Sequence, residues 1–335
     1  MFNCVFKPRL RTKALIVSAI LGCLVFVWVK NNYSDEEVLK WITVSDNKLK
    51  DPLLNRHQFS YSLNTDICQS RKADIVVIVH TAVHNSLRRM KSRDTWAGIV
   101  QIDQHSIVTI FMIGQTMDYS MQRLLVQESR YHNDIVQGNF LDSYRNLTYK
   151  HIMALGWVNT HCPDAKLIVK VDDDVLVNLF NLATYIYKYG FQNDFLYCLS
   201  YTFSFPKRIP GSKWYVGYND YPFMMYPVFC SGAAYLISPN AAMKLFQASS
   251  DIRFFWIDDL YVTGFLVLKV GLRHKQMIPG HDFVNTSTLT KDSMFLDAQY
   301  VWYSQWDYII KSVPFPYKAA YGVLDGTTQG TTHLQ

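Results

Sequence analysis

The chain has 335 residues, of which 49% are hydrophobic and 15% aromatic, so it can bury the core of one large domain or two small ones. Its net charge is +6, but four of the basic residues precede residue 14, which leaves +2 for the remainder. This low charge argues against nucleic acid as a partner, because binding it requires a concentrated basic face.

The first predicted element is a membrane anchor over residues 14–30. Its first sixteen residues are apolar except for Ser18 and Gly22, and as a helix they span roughly 24 Å, enough for a thin bilayer. Basic residues precede this segment and acidic residues follow it, so the positive-inside rule predicts a type II anchor with residues 1–13 in the cytoplasm. A cleaved signal peptide is the alternative, but no small-residue cleavage pattern follows the apolar run.

Residues 31–72 are polar, of mixed charge and weakly periodic, which is typical of a stem that holds a folded domain away from the bilayer. We therefore assign residues 73–335 to a lumenal domain. Two glycosylation sequons, at Asn146 and Asn285, agree with a lumenal location, whereas the sequon at Asn32 lies too close to the membrane to be a good acceptor.

Four of the six cysteines lie beyond the predicted anchor, which favours two disulfides in an oxidising lumen. The sequence alone leaves three pairings open. Of these we expect Cys68–Cys162 and Cys198–Cys230. The other two cysteines sit in or beside the membrane segment and stay outside this count.

From residue 73 onward, short apolar runs alternate with helical stretches. The predicted strands cover residues 74–80, 106–113, 134–136 and 166–171, and the predicted helices cover residues 86–96, 118–131, 144–160 and 178–189. This alternation predicts an α/β fold with a mainly parallel central sheet and helices on both faces. Aromatic loops follow, and then a strand at 233–237, a helix from Pro239 and an apolar helix over residues 257–270.

Asp172, Asp173 and Asp174 directly follow the predicted strand at 166–171. Three carboxylates at the end of a buried strand repel one another and do not all ionise readily without a cation. Mg²⁺ and Mn²⁺ take oxygen ligands and keep the phosphate oxygens of a substrate as further ligands. Ligands of parallel sheets bind beyond the carboxyl ends of the strands. The triplet therefore indicates a metal and phosphate site, with a solvated acidic turn as the alternative.

Six motifs occur in a fixed order between residues 73 and 282. They are Arg88-Arg89 with Arg93-Asp94-Thr95-Trp96; Phe111-Met112-Ile113-Gly114; Asp134, Phe140, Asp142, Tyr144, Asn146-Leu147-Thr148 and Lys150; Lys170-Val171-Asp172-Asp173-Asp174-Val175; Tyr226-Pro227 with Ser231-Gly232-Ala233-Ala234-Tyr235; and Asp258-Asp259-Leu260-Tyr261-Val262-Thr263-Gly264. Together they resemble the β-1,3-glycosyltransferase family, which contains β-1,3-galactosyltransferases and β-1,3-N-acetylglucosaminyltransferases, with Fringe as a distant relative. The stretch after Asn285 loses this resemblance.

The resemblance implies a GT-A-like nucleotide-sugar-binding fold. It also implies an enzyme of the Golgi membrane that transfers a hexose from a UDP-sugar with inversion, using Mn²⁺ or another divalent cation. The expected product is a β-1,3 linkage to a glycan on a glycoprotein or glycolipid. Galactose is the favoured donor sugar, and N-acetylglucosamine is the alternative. A homodimer is left open, and a non-catalytic membrane-anchored lectin or chaperone with the same fold is the competing class of protein.

The resemblance also assigns roles to single residues. Asp174 is expected to bind the metal directly. His281 is expected to complete the metal site, since relatives carry a His a little over twenty residues beyond the acidic pair. Asp259 is expected to be the general base that an inverting displacement requires, with Asp258 as the alternative. The competing interpretation of this pair is a favourable interaction with the helix dipole.

Donor binding is expected of a second set of residues: Asp172, Asp173, Arg89, Arg93 and Lys150. The two aspartates would contact the ribose or the sugar, or would orient Asp174. One of the two arginines would lie near the diphosphate. The alternatives are a cationic helix face for the arginines and, for Lys150 and Lys170, an ion pair with the triplet.

Aromatic residues in the loops after residue 193 are candidates to stack on acceptor sugars: Trp214, Tyr215, Tyr221 and Tyr226. Packing in the core or at the rim of the domain is the simpler explanation for each of them.

Overall fold

The computed structural model describes residues 15, 17, 34–44, 50–279, 282–285 and 293–297. The predicted anchor lies outside these residues apart from residues 15 and 17, which are helical, and His281 lies outside them as well. Among the helices of this described part, none is both long and apolar enough to cross a membrane.

The described helices are α1 (Asp35–Ile42), α2 (Ile67–Ser70), α3 (Ser86–Arg93), α4 (Tyr119–His132), α5 (Leu147–His161), α6 (Leu179–Tyr189), α7 (Pro239–Ala248), α8 (Asp258–Leu260) and α9 (Val267–Val270). The strands are β1 (Tyr61–Leu63), β2 (Ile75–His80), β3 (Gln101–Ile102), β4 (His105–Gln115), β5 (Ile135–Leu141), β6 (Leu167–Asp172), β7 (Val175–Val177), β8 (Leu196–Tyr201), β9 (Phe229–Ile237), β10 (His274–Gln276), β11 (Phe283–Asn285) and β12 (Phe295–Asp297). A π-helical stretch, Tyr261–Leu266, joins α8 to α9, and 3₁₀ turns cover Trp96–Gly98, Tyr144–Asn146 and Ser249–Asp251.

The central sheet has the strand order β1-β5-β4-β2-β6-β9-β8-β10, and β3 pairs with β4. Strands β5, β4, β2 and β6 run parallel, as the alternation of strands and helices predicts. Strands β1 and β9 run antiparallel to their neighbours, so the sheet is mixed. The carboxyl ends of the four parallel strands meet at one edge, where sheets of this kind bind ligands.

Strand β2 shows why the sheet forms. Its six residues are all buried, as expected for a parallel strand that is covered on both faces. Successive side chains point to opposite faces, so Val76 and Ile78 join one core while Val77 and Val79 join the other. Helix α5 packs in the core of the first face and α6 in the core of the second. Helices therefore cover both faces, as predicted.

The described part of the predicted stem is folded onto the domain, which corrects the expectation of a free spacer. On α1, Val38 and Ile42 are fully buried in the core of the first face. Strand β1 pairs with β5, and Cys68 is bonded to Cys162 at the end of α5. The polar composition of this segment concealed a few apolar positions, and their burial is sufficient to hold it on the domain.

Both predicted disulfides form, Cys68–Cys162 and Cys198–Cys230. The second links β8 to β9 beside an irregularity in their pairing. Cys198 lies opposite Tyr235 while Ser200 lies opposite Cys230, so β9 bulges between these two positions.

The predicted glycosylation site at Asn146 lies in the 3₁₀ turn before α5, and its glycosylation stays a prediction. Its Nδ2 donates to the carbonyl of Leu141 at 2.9 Å. In the same sequon, Oγ1 of the fully buried Thr148 donates to the carbonyl of Phe255 at 2.6 Å. A glycan replaces one of the two hydrogens on Nδ2, so the other can still donate to Leu141. Asn285 lies in β11, and its glycosylation stays a prediction.

A smaller sheet with the order β11-β12-β7 brings the last described residues to the acidic triplet. Strand β12 runs antiparallel to β7, and Asp297 lies opposite Val175, the residue that follows the triplet. The region beyond Asn285, which carried no recognisable motif, therefore contributes another acid next to the triplet.

Candidate active site

The acidic triplet lies at the carboxyl end of β6, as the sequence predicts. Asp172 ends β6 beside His80, the last residue of β2, and the other two aspartates form the turn into β7. A cleft of about 370 Å³ opens there, which is within the size range of small-molecule sites. Besides the triplet, its walls include Thr81, Asn85, Asp142, Tyr144 and Lys150.

Asp173 is held by the fold and is only 5% exposed. Its Oδ2 accepts hydrogen bonds from Oγ1 of Thr81 at 2.6 Å and from Nδ2 of Asn85 at 2.7 Å. Its Oδ1 accepts from Nη1 of Arg88 at 2.7 Å. Three donors therefore hold this carboxylate in place beside Asp174, and its two expected roles, contact with the donor and orientation of Asp174, stay predictions.

Arg88 links two members of the triplet, a role that the sequence did not indicate. Its Nη1 lies 2.7 Å from Oδ1 of Asp173 and 3.3 Å from Oδ2 of Asp174. This charge-assisted contact fixes the two carboxylates relative to each other. Consecutive residues of a helix point in directions about 100° apart, so Arg88 and Arg89 on α3 face different parts of the molecule.

Arg89 and Arg93 are bound by other acids than the triplet, and the expectation that one of them lies near the diphosphate stays a prediction. Arg89 is 1% exposed, and its Nε and Nη2 donate to Glu128 at 2.8 and 2.7 Å. Arg93 donates to Glu128 at 2.8 Å and to Asp134 at 2.8 and 2.9 Å. Carboxylates of the fold therefore engage both guanidinium groups. We call this group the arginine cluster: Arg89, Arg93, Glu128 and Asp134.

Lys150 lies in the wall of the cleft, but its ammonium group is already paired. Its Nζ donates to the carbonyl of Thr81 at 2.6 Å and to Oδ1 of Asp142 at 2.8 Å, and the side chain is 2% exposed. The expected ion pair with the triplet is made by Lys170 and not by Lys150, whose acidic partner comes from another motif. Contact between Lys150 and a donor stays a prediction.

Crowding of charge raises the pKa of two members of the triplet. Burial raises the pKa of Asp172 to about 7, against the attraction of Lys170. Burial and the charge of Asp173 raise the pKa of Asp174, and Asp297 on β12 adds to that shift. An excess of carboxylate charge is relieved by a cation, so Asp172 and Asp174 fit a divalent metal.

Lys170 connects the triplet to the acidic pair at the start of α8. Its buried Nζ donates to Oδ1 of Asp172 at 2.7 Å and to the carbonyl of Gly232. Burial alone would lower the pKa of Lys170, but the charges of Asp172, Asp258 and Asp259 raise it. Two acidic motifs that are far apart in the sequence thus share one buried cation. We call these acids the carboxylate cluster: Asp172, Asp174, Asp258 and Asp259.

Asp258 is the member of the acidic pair that a histidine engages. Its Oδ2 lies 3.0 Å from Nδ1 of His151, whose Nε2 lies 2.5 Å from the hydroxyl of Tyr235. Burial would raise the pKa of Asp258, but the hydrogen bond from His151 and the charge of Lys170 lower it. Asp258 is 8% exposed, and its Oδ2 is engaged by His151.

Asp259 packs over the bulge of β9. A Cβ added at Gly232 would lie 1.7 Å from Oδ1 of Asp259, so the position beneath this carboxyl requires glycine. Burial and the charge of Asp258 raise the pKa of Asp259 well above its ordinary value, although Lys170 opposes the shift. A carboxyl with a raised pKa can accept a proton near neutral pH. The sequence placed Gly232 in a motif but gave no signal for this contact.

His80, His151 and Asp258 place three potential ligand atoms within 4.8 Å of one another. This group is a poor fit for a metal, because Nδ1 of His151 is already bonded to Asp258. Burial, followed by the positive charges of Lys170 and Lys150, lowers the pKa of His80. The same two charges oppose a bound cation, so the triplet is the better candidate.

The candidate stacking residues divide into two sets. Tyr221 and Tyr226 are fully or almost fully buried, so packing explains them, whereas Trp214 and Tyr215 are 51% and 37% exposed. Nζ of Lys213 lies 4.3 Å from the ring centroid of Tyr144, which lines the cleft, and 5.6 Å from that of Trp214. Trp214 therefore stands at the mouth of the cleft. Burial and the nearby acidic pair raise the pKa of Tyr144.

The known proteins that this chain is similar to in sequence are glycosyltransferases. The family model described as galactosyltransferase matches residues 87–278, which include the triplet and the acidic pair. The chain is 32% identical over 267 residues to the lactosylceramide 1,3-N-acetyl-beta-D-glucosaminyltransferase of Xenopus tropicalis, covering 75% of this chain and 71% of that protein. It is 31% identical over 272 residues to the beta-1,3-galactosyltransferase 5 of Gorilla gorilla gorilla, covering 81% and 86%.

Among solved structures, a glycosyltransferase involved in glycosylation of the major capsid of PBCV-1 superposes with a TM-score of 0.40. The two chains are 9% identical, and the match covers 71% of this chain and 98% of that one. A likeness of this size supports no conclusion about function.

Proposed function

The chain belongs to the galactosyltransferase family of β-1,3-glycosyltransferases, and on that basis we propose that it transfers a hexose from a UDP-sugar to the 3-hydroxyl of an acceptor glycan. The observation that carries the proposal is the carboxylate cluster beside the cleft. Asp172 and Asp259 have raised pKa values around one buried lysine. Carboxyls with perturbed pKa values that converge at a cleft are typical of a catalytic centre.

In the proposed site, Asp174 and Asp172 hold a divalent cation, for which Mn²⁺ is the first candidate. When bound, such an ion supplies a Lewis acid that neutralises charge on the leaving diphosphate. The crowded charge of the triplet supports this assignment, and so does exposure, since the side chains of Asp174 and Asp172 are 22% and 42% exposed. Asp173 and Arg88 keep Asp174 in place. His281 remains a predicted further ligand.

Asp259 is the proposed general base. An inverting displacement needs one base at the acceptor hydroxyl, on the side opposite the leaving group. Asp259 accepts the proton of the 3-hydroxyl as that oxygen bonds to the anomeric carbon and the bond to the UDP oxygen breaks. Asp258, which His151 engages, is a positioning residue whose charge keeps the pKa of Asp259 high.

UDP-galactose is the proposed donor, and UDP-N-acetylglucosamine is the alternative. One of the relatives described above is named as an N-acetylglucosaminyltransferase and the other as a galactosyltransferase. This chain is 32% identical to the first and 31% identical to the second, so sequence identity does not favour either donor sugar. The choice therefore depends on experiment.

We place the enzyme in the Golgi membrane as a type II protein with its folded domain in the lumen. The apolar segment at residues 14–30 and the charges that flank it support this topology. The two disulfides support an oxidising compartment.

The test is a donor screen with the full-length chain in detergent. The protein is incubated with Mn²⁺, each common UDP-sugar and a panel of β-linked acceptors, and the linkage of any product is read by NMR. A β-1,3 product from UDP-galactose supports the proposal, and a product from UDP-N-acetylglucosamine supports the alternative donor. If no product forms and UDP does not bind with Mn²⁺, the proposal that the chain is an enzyme is overturned, and a lectin or chaperone is favoured.

A further inference from the structure

The loop between β8 and β9, residues 202–228, carries many exposed apolar side chains, and we call it the aromatic loop. Six of these side chains are between 47% and 75% exposed: Phe203, Phe205, Ile209, Trp214, Tyr218 and Met224. Two exposed lysines, Lys207 and Lys213, lie among them. A concentration of exposed apolar side chains on a folded domain marks an interaction surface.

The aromatic loop is an ordered surface. Arg208 donates from Nη1 to the carbonyl of Val216 at 2.8 Å. It donates from Nη2 to the carbonyls of Tyr221 and Phe223 at 2.7 and 2.9 Å. Tyr221 is itself fully buried in the core of the first face. One guanidinium group thus joins distant parts of the loop, and a defined backbone presents its exposed side chains.

The N-terminal segment meets the domain beside this loop. On α1, the ring of Trp41 packs edge-on against Tyr221 and Phe223, with centroids 5.3 and 6.0 Å apart. The predicted anchor ends at residue 30 and α1 begins at Asp35. The four residues between them span at most about 14 Å, and α1 adds about 12 Å. An anchored chain therefore holds the aromatic loop close to the bilayer.

The composition of the aromatic loop suits the interface of a bilayer. Trp and Tyr rings are enriched at the level of the headgroups, and long cationic side chains lie along apolar surface with their charge in water. Arg208 lies 4.1 Å from the ring centroid of Tyr218, and Lys213 lies 4.3 Å from that of Tyr144. Cationic groups beside exposed apolar side chains are typical of surfaces that lie on membranes.

The aromatic loop also reaches the mouth of the cleft, where Nζ of Lys213 lies 4.3 Å from the ring centroid of Tyr144. We infer that the aromatic loop rests on the membrane that holds the anchor, so that the cleft opens toward glycans attached to lipids of that membrane. This inference rests on the glycosyl transfer and the anchor proposed above. The acceptor inferred in this way is a lipid-linked glycan.

The membrane contact is tested without any activity, by fluorescence quenching of the full-length chain in phosphatidylcholine vesicles. In a Cys4→Ser, Cys23→Ser background, a bimane probe is attached at Ile209→Cys or, as a control, at Tyr187→Cys. Tyr187 is 94% exposed and lies on α6, which packs against the second face of the sheet. Helix α1 and the aromatic loop pack against the first face, on the other side of the sheet. Nitroxide-labelled lipids should quench the probe at 209 more strongly, and equal quenching would overturn the inference.

The consequence for the acceptor is tested with Phe205→Asp combined with Ile209→Asp, two exposed positions that lie outside the cleft lining. Transfer to a lipid-linked glycan in the same vesicles should fall about tenfold, equivalent to about 1.4 kcal/mol of lost membrane contact. Transfer to the same glycan in water-soluble form should be unchanged. The matched control, Tyr187→Asp, should change neither rate.

Equal losses on both acceptors would overturn the inference, because the loop would then act on the site itself. The inference would also be overturned if the probe at 209 became shielded from solvent as the protein concentration rose, whether or not lipid was present. That result would show that the loop contacts a second copy of the chain. If the unmodified chain glycosylates neither acceptor, the proposed function fails, while the quenching measurement still decides whether the loop lies on the membrane.

Discussion

The arginine cluster and the carboxylate cluster are both partly buried groups of charges, but their charges are balanced differently. In the arginine cluster, burial would raise the pKa of Glu128, yet hydrogen bonds and charges from Arg89 and Arg93 lower it. In the carboxylate cluster, burial and like charges dominate. The pKa of Asp172 rises to about 7, and that of Asp259 rises well above its ordinary value.

This difference separates charges that stabilise the fold from charges that remain available for chemistry. Arg89 has two bonds to one carboxylate and others to backbone carbonyls, so nothing is left for a ligand. The carboxylate cluster places three acids around one lysine with Asp174 beside Asp172, and the excess of negative charge favours a bound cation and strengthens a carboxylate as a proton acceptor. Each of the following substitutions tests whether the two clusters differ in this way.

The largest expected effect is the loss of transfer in Asp259→Asn. Removing the base should lower kcat by about 10³-fold. The free energy of unfolding should not fall, because the amide replaces a crowded, buried carboxyl. Initial rates and urea unfolding measure the two quantities, and Mn²⁺-dependent UDP binding should be retained. Near-native turnover would instead make Asp258 the base, and Asp258→Asn would then be the inactive variant.

The next largest effect is on stability, in Arg89→Met. This substitution removes the bidentate partner of Glu128 and leaves that carboxylate only its bond from Arg93, so it should lower the free energy of unfolding by about 3 kcal/mol. The matched control is Arg88→Met, since the side chain of Arg88 is 26% exposed and contacts the triplet. That control should lose less stability but bind UDP more weakly. Equal destabilisation of both variants would remove the distinction between the clusters.

A smaller loss of activity is expected for Gly232→Ala. The added Cβ would occupy the position of the Asp259 carboxyl, and a displacement of about 1 Å at a reacting group costs about 10²-fold in rate. Gly217→Ala is the control, because its Cβ would meet only the carboxylate of Asp220 at 3.2 Å and the end of the Tyr215 side chain at 3.6 Å. Unchanged kcat in Gly232→Ala would mean that the position of Asp259 is not critical.

The smallest effect is a difference in how the free energy of unfolding depends on pH. Each unit of pKa shift changes this free energy by about 1.4 kcal/mol. The folded pKa of Asp259 is raised, so its favourable contribution is present below the ordinary value and is lost as pH rises. The folded pKa of Glu128 is lowered, so its contribution is present above the ordinary value and is lost as pH falls. With rising pH, Asp259→Asn should gain stability relative to the unmodified chain and Glu128→Gln should lose it. Parallel trends in urea unfolding would contradict this assignment.

The parts of the fold that could be predicted depend on local patterns. Runs of β-branched residues predicted β2, β4 and β6, and the alternation with helices predicted their parallel arrangement. The position of the triplet at the end of β6 followed from the same pattern. Both cysteine pairs were also predicted, although only as one of three pairings.

The missed features depend on contacts between distant segments. No local signal distinguishes Arg88, which meets the triplet, from Arg89, which meets Glu128. Gly232 is needed only because a carboxyl from α8 packs over it. Similarly, the polar composition of residues 31–72 indicated a stem, while the burial of Val38 depends on a surface supplied by the rest of the domain.

The most direct test of the carboxylate cluster is isothermal titration calorimetry of UDP with the full-length chain, with and without Mn²⁺. We predict that UDP binds only when the metal is present and that Asp174→Ala loses this binding, whereas Asp259→Asn keeps it. UDP binding that needs no divalent cation, or that persists unchanged in Asp174→Ala, would contradict the assignment of the triplet as the metal and diphosphate site.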